Sequence, residues 1–216
     1  MKKPFVLTIG RQLGSGGHET GKNIADALGF PFYDKELIML ASQKSGMGKS
    51  IFEAMDEKKS HSLLGGFLGL RSASVEYYGS ENYLSHESLF QIQSSVIREL
   101  AENKPGVFVG RCADYVLKNH PRCLNVFISA DLEDRIRRIS GMHNLSLKEA
   151  ERIIEKTDKQ RAAYYHYFSD KKWGAAVSYH LCINSSIGGI EKTTTMILDF
   201  CRNVFLHPGK EDTAEE

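Results

Sequence analysis

No apolar run in the sequence approaches the roughly 18 residues of a membrane span, and no leader-like segment precedes the first apolar stretch at residues 4–10. Net charge is nearly absent as well. The 28 Lys and Arg against 27 Asp and Glu leave a formal +1, so there is no global basic field of the kind that holds nucleic acid. The four cysteines, Cys112, Cys123, Cys182 and Cys201, are widely spaced with no C-x-x-C pair, and they read as buried thiols of a reducing compartment. These absences give a set of expectations: a cytoplasmic chain with no protein-built metal centre, with neither nucleic acid nor membrane as partner. Any anion site must be local.

What is present is enough apolar material, 41% of 216 residues, for one good core, so residues 1–216 are read as a single domain. Two glycine stretches stand out: GRQLGSGGHETG at 10–21 and SGMGKS at 45–50. A phosphate loop of the form G-x-x-x-x-G-K-[ST] needs its glycines so that backbone N–H groups curl around an anion. It also needs a lysine and a hydroxyl to reach the terminal phosphates and Mg²⁺. The first stretch has the glycines without the lysine; the second has Gly48-Lys49-Ser50 but Gln43 where the leading glycine belongs.

Context separates them. PFVLTIG at 4–10 is a short apolar, partly β-branched run that reads as a buried parallel strand. After the glycines, Ile24, Ala25, Ala27 and Leu28 recur at helical spacing until Gly29. Strand, glycine loop and helix therefore follow in the order that adds a helix N-terminus to an anion site. The second stretch lies between two helical patterns, KELIMLASQK and SIFEAMDEKK, and reads as a turn between helices with Ser45 or Ser50 as N-cap.

Further on, FPFYD (30–34), GVFVGR (106–111), LNVFISA (124–130) and YHLCINS (179–185) read as strands. HESLFQIQSSVIRELAENK (86–104) and GIEKTTTMILDFCRNVF read as helices. Alternating strands and helices point to an α/β fold, a five-stranded parallel sheet covered on both faces. Two regions depart from the core pattern: a glycine-, serine- and aromatic-rich excursion within 45–85, and a charged helical stretch at 135–172.

The runs TIGRQLGSGGHETGKNIADALGFPFYDKELI, VFVGRCADYVL, NVFISADLEDRIRRI, EKTDKQRAAYY and YHLCINSSIGGIE together resemble the cytidylate kinase-like branch of the P-loop nucleoside monophosphate kinases. The resemblance implies a three-layer P-loop NTPase fold with a helical lid at about 135–172. It also implies ATP-dependent phosphoryl transfer to a nucleoside monophosphate with Mg²⁺, and small-molecule nucleotides as partners. Carried over by position, Gly14, Ser15, Gly16 and Gly17 with the amides of His18 and Glu19 form the nest for the ATP phosphates. Arg11, at the loop entrance, turns either to the phosphates or to a structural carboxylate. Asp34 and Lys35 fall on the acceptor side, where Asp34 reads equally as a helix N-cap, and Arg111 at a strand end is the cation for the acceptor phosphate. Arg135, Arg138, Asp158 and Arg161 fall in or beside the lid, and Ser185 and Ser186 fall where the adenine base is contacted. The lid charges read alternatively as an exposed network with their neighbouring glutamates.

The departures from the family pattern are as specific as the matches. Gly17 holds the place of the loop lysine and Glu19 that of the Mg²⁺-binding hydroxyl, leaving His18, Lys22, Arg11 or a lid arginine to supply the missing charge. After Asp34 the sequence offers Lys35 and apolar residues in place of a glycine and an arginine, so base preference is not legible. Two other readings stay open beside the first: a small-molecule kinase with a different acceptor, and a nucleotide-binding protein with little catalysis.

Overall fold

A computed structural model describes residues 3–44 and 83–206. The SGMGKS turn, nearly all of the 45–85 excursion and the polar tail lie outside the described residues.

Strand β1 (Val6–Arg11) is the centre of a five-stranded sheet with β2 (Phe32–Tyr33), β3 (Gly106–Val109), β4 (Cys123–Ser129) and β5 (Leu181–Asn184), in the order β2-β3-β1-β4-β5. Every pairing is parallel. A sheet of this kind is buried on both faces, which is why its strands read as apolar runs instead of alternating with polar residues. The two-residue strand period divides the core. Leu7 and Ile9 with Val107 and Val109 pack on one face against helix α1 (Gly17–Leu28), through Ile24 and Ala25, and against α7 (Gly189–Cys201), through Ile197 and Leu198. Val6 and Phe108 point the other way. They meet Ile38 of α2 (Lys35–Lys44), Ile97 and Ala101 of α3 (Tyr83–Asn103), and Ala113 and Val116 of the short α4 (Ala113–Val116).

The charged stretch forms a helical hairpin, α5 (Leu132–His143) and α6 (Leu147–Ser169). Its reversal is encoded locally: Asn144 takes the left-handed conformation that ends α5, and Ser146 opens α6 with a capping box to Glu149. The hairpin has its own small core, Ile139, Ala150 and Ile154, and Leu13 of the glycine loop packs into it. Loop and hairpin therefore share one hydrophobic contact.

Several boundaries differ from the sequence reading. Strand β2 has only two residues, because it pairs along one edge of β3, and a 3₁₀ turn at Ala176–Ser178 precedes β5, which begins only at Leu181. The cysteines are free thiols, but they are not all buried: Cys182 is exposed and Cys123 half-buried. Strand β5 is the last in the sheet order, and its Leu181 and Ile183 pack on the core while Cys182, alternating with them, is exposed. Among the described residues no helix is long and apolar enough to cross a membrane.

Candidate active site

The chain leaves β1 toward the β2 edge of the sheet, whereas from β2 onward every crossover runs back toward the β5 edge, and a crevice opens at the carboxyl ends of β1 and β3, where the direction changes. The glycine loop fills this position. Gly14 and Gly16 adopt φ of +79° and +77°, a region that other residues enter only under strain. Gly14 is also pinned spatially, since a Cβ there would lie 2.9 Å from the Arg135 carbonyl oxygen.

Every carbonyl of the loop is occupied by a donor from within the protein. The Arg11 carbonyl accepts from Arg161 at 3.0 Å, and that of Gln12 from the Ser15 hydroxyl at 2.9 Å. The Leu13 carbonyl accepts from Arg135 Nε at 2.8 Å and the Gly14 carbonyl from Arg138. The Ser15 carbonyl accepts from the Ser185 hydroxyl at 2.7 Å, and that of Gly16 from the Thr20 amide at 2.9 Å. In contrast, the N–H groups of Gly14, Gly16, His18 and Glu19 meet no acceptor among the described residues. A backbone whose carbonyls are all bound on the protein side, and whose amides are left over at a helix N-terminus, is an anion-binding concavity.

The hairpin arginines thus hold the loop. Arg135, 5% exposed, also pairs with Asp158, whose other carboxylate oxygen accepts from the Leu13 amide at 2.9 Å. The competing picture of an exposed network with neighbouring glutamates does not describe Arg135 or Arg161, because both are packed inward with Asp158 between them. Burial lowers the Arg161 pKa, while Asp158 opposes that shift. A nearly buried ion pair of this kind needs its remaining groups hydrogen-bonded, and here the loop backbone supplies those partners.

On the side that the sequence reading gives to the acceptor, Asp34 follows β2 and caps α2, accepting from the Leu37 amide at 3.0 Å; its second oxygen lies 3.0 Å from His18 Nε2. The N-cap reading and a site role therefore coexist in one carboxylate. Lys35 is the first residue of α2. Arg111 stands just past β3 in an unusual turn, where Gly110, Arg111 and Cys112 have φ of +83°, +57° and +52°. Each non-glycine residue held there costs about 1 kcal/mol or more, and such strain clusters at binding sites. Its guanidinium lies 6.0 Å from the ring centroid of Tyr164. Between loop and acceptor side stands Arg11, half-buried, its pKa pushed down to about 9 by burial and then by Arg161 and Arg111, against the opposing pull of Asp34 and Asp158.

The structure brings Arg11, the loop glycines, His18, Asp34, Arg111, Asp158 and Arg161 together. Ser185 and Ser186 take supporting positions. Ser185 bonds the loop and the Ser129 carbonyl, and the Ser186 hydroxyl accepts from the Asp131 amide at the start of α5. The aromatic residues beside the hairpin are packing groups: Phe168 stacks on Phe90 at 3.9 Å, Trp173 meets Phe127 edge-on, and the Tyr165 hydroxyl donates to the half-buried Asp114.

Sequence reasoning missed Gln12, whose side-chain oxygen accepts from the Ala130 amide and ties the loop to β4. It also missed Leu13, which joins loop to hairpin, and Gly110. Of these only Gly110 carried a signal, a glycine directly after a buried strand and before an arginine.

A parallel sheet ordered in this way, with a glycine loop joining its central strand to a helix, defines the chain as a protein of the P-loop kinase fold. A sequence profile of the cytidylate kinase-like family matches residues 6–187, and the chain belongs to that family. Among solved structures, an uncharacterized protein from Eubacterium ventriosum is similar over 93% of this chain and 99% of its own, at 25% identity and a TM-score of 0.72. A gluconokinase from Sinorhizobium meliloti shares the fold at 13% identity and a TM-score of 0.52, with 94% of this chain and 95% of that one covered. The Thermus thermophilus protein TT1252 does so at 18% identity and the same TM-score, with 92% and 98% covered. No curated protein matches the sequence.

Proposed function

We propose that the chain transfers the γ-phosphoryl group of ATP to a nucleoside monophosphate. The carrying observation is the loop in which each carbonyl from Arg11 to Gly16 is bound by the protein while the amides of Gly14, Gly16, His18 and Glu19 are left for an anion. In this reading the ATP phosphates lie on those amides, and Arg111 faces them from the neighbouring strand end to hold the acceptor phosphate. An acceptor phosphate oxygen forms the new bond to the γ-phosphorus. The bond from that phosphorus to the bridging oxygen breaks, and its electron pair leaves with ADP. The protein's part is positioning and charge, because the chemistry asks for little else.

Among the described residues no group of three or more His, Cys, Asp or Glu side chains converges. Mg²⁺ would enter with the nucleotide, where it would neutralise charge on the phosphates. Glu19, in the first turn of α1, is the carboxylate nearest in sequence to the place of the usual hydroxyl ligand. The partners in this reading are small nucleotides, not nucleic acid or a membrane, and the setting is the cytoplasm.

A different small-molecule acceptor is favoured by one observation: Asp34 is committed to capping α2 and to His18, which leaves base recognition to other residues. The test is Mg-ATP turnover against a panel of nucleoside monophosphates, with gluconate as a phosphate-free acceptor in a parallel arm. ADP release dependent on one nucleotide supports the first reading. Release with gluconate alone replaces it with the second. ATP binding with no acceptor-dependent release sinks both.

A further inference from the structure

The structure holds an unexplained fit between one arginine and two glycines. A Cβ built on Gly17 would lie 2.5 Å from Arg11 Cβ and 3.1 Å from its Cγ. One on Gly110 would collide with the Arg11 guanidinium, with Cζ only 3.0 Å away. Gly110 has a positive φ that favours glycine by itself, but Gly17 is an ordinary helical residue, so its lack of a side chain answers to space alone. The arginine stem thus runs across the position from which a loop lysine would start, and its head lies under the β3 turn that carries Arg111.

The other cations are accounted for. Arg135, Arg138 and Arg161 are spent on the carbonyls of Leu13, Gly14 and Arg11. His18 is 58% exposed and paired with Asp34, and Lys22 is exposed a turn further along α1. The Arg11 guanidinium, in contrast, has no hydrogen bond to any described residue. A half-buried guanidinium crowded by Arg161 and Arg111, and left without a bonded acceptor, is poised for an anion.

We propose that Arg11 supplies the charge of the missing loop lysine, its guanidinium reaching the transferred phosphoryl group through a channel that Gly17 and Gly110 keep open. The assignment rests on the phosphotransferase reading for its catalytic part and on geometry alone for its binding part. Arg11 enters from the end of β1, whereas a lysine would enter from the first turn of α1. Each excludes the other, so restoring the conventional motif by Gly17→Lys damages the site.

Four proteins test this: wild type, Arg11→Ala, Gly17→Lys and the double variant Arg11→Ala/Gly17→Lys, each checked for folding by circular dichroism. Tripolyphosphate binding is measured by calorimetry, and ATP turnover is measured with the acceptor found above. Arg11→Ala is expected to weaken tripolyphosphate binding about tenfold or more, the loss of one charge-assisted contact. Turnover is expected to fall about 100-fold or more. Gly17→Lys alone is expected to be impaired likewise or to misfold, while the double variant, in which the lysine enters vacated space, regains binding over both singles. Arg11→Ala binding tripolyphosphate like wild type overturns the assignment whatever the turnover. A double variant that folds and binds no better than either single overturns the exchange of arginine for lysine. If wild type transfers nothing but tripolyphosphate binding still depends on Arg11, the phosphotransferase reading fails and the binding assignment stands.

Discussion

In the proposed reading, the donor side and the acceptor side of the crevice are built on different principles. On the donor side the recognising groups are backbone amides, and side chains serve to aim them: Arg135, Arg138, Arg161 and Ser185 each bind a loop carbonyl, and Asp158 binds the Leu13 amide. On the acceptor side, as proposed, the recognising group is itself a side chain, Arg111, held on a strained turn, with the helix cap made by Asp34 nearby. An amide cradle fits any polyphosphate and is indifferent to what lies beyond it. A few long side chains, by contrast, are easily re-aimed by evolution. The contrast teaches why the nucleotide half of the proposed reaction is readable from the fold whereas the acceptor half depends on particular residues.

Replacements on the two sides should therefore fail in different ways. Asp158→Ala is expected to do the greatest damage, because it leaves the buried Arg135 charge without its partner and the Leu13 amide without its acceptor. A loss of about 3–5 kcal/mol in urea unfolding, with loss of ATP-dependent thermal stabilisation, is the expected outcome. A loss below about 1 kcal/mol would mean that the loop does not depend on the hairpin. Next comes Arg111→Gln, which should lower transfer by about 100-fold while ATP still raises the melting temperature as in wild type. Equal loss of ATP binding would erase the division into two sides.

Ser185→Ala removes a buried hydroxyl that bridges the Ser15 and Ser129 carbonyls. It should cost about 1–3 kcal/mol of stability and weaken ATP binding with little effect on acceptor KM. A rise in acceptor KM at unchanged ATP affinity would place the serine on the wrong side. The smallest effect is expected from Asp34→Asn, which keeps a capping oxygen for α2 and so should change stability by only a few tenths of a kcal/mol, as Asn and Asp cap about equally well. Any change in transfer beyond about threefold would then reflect the carboxylate's charge facing His18 and Arg11, not the helix cap.

Much of the frame was legible in the sequence. β1, the glycine loop, α1 and its stop at Gly29 could be read in order, because a buried strand, an αL glycine and an amphipathic helix each have a local cause. The α5–α6 turn has local causes of the same kind in Asn144 and Ser146, but the reading of 135–172 as one charged helical stretch passed over them. Less legible was the meaning of the arginines. Three or four residues of spacing on a helix show that Arg135 and Arg138 share a face, but a solvated face and a buried clamp have the same spacing.

By itself, then, the sequence determined the alternation of strands and helices, the place of the phosphate loop and the absence of its lysine, since these follow from local periodicity, turn chemistry and residue identity. Only the tertiary structure decided which arginine lies across the place of that lysine. The loop carbonyls that Arg135 and Arg138 bind lie more than a hundred residues away along the chain, and Gly17 and Gly110 meet Arg11 only once β1, β3 and α1 have packed. The direction of a guanidinium is set by the space its neighbours leave, and that space exists only in the folded protein.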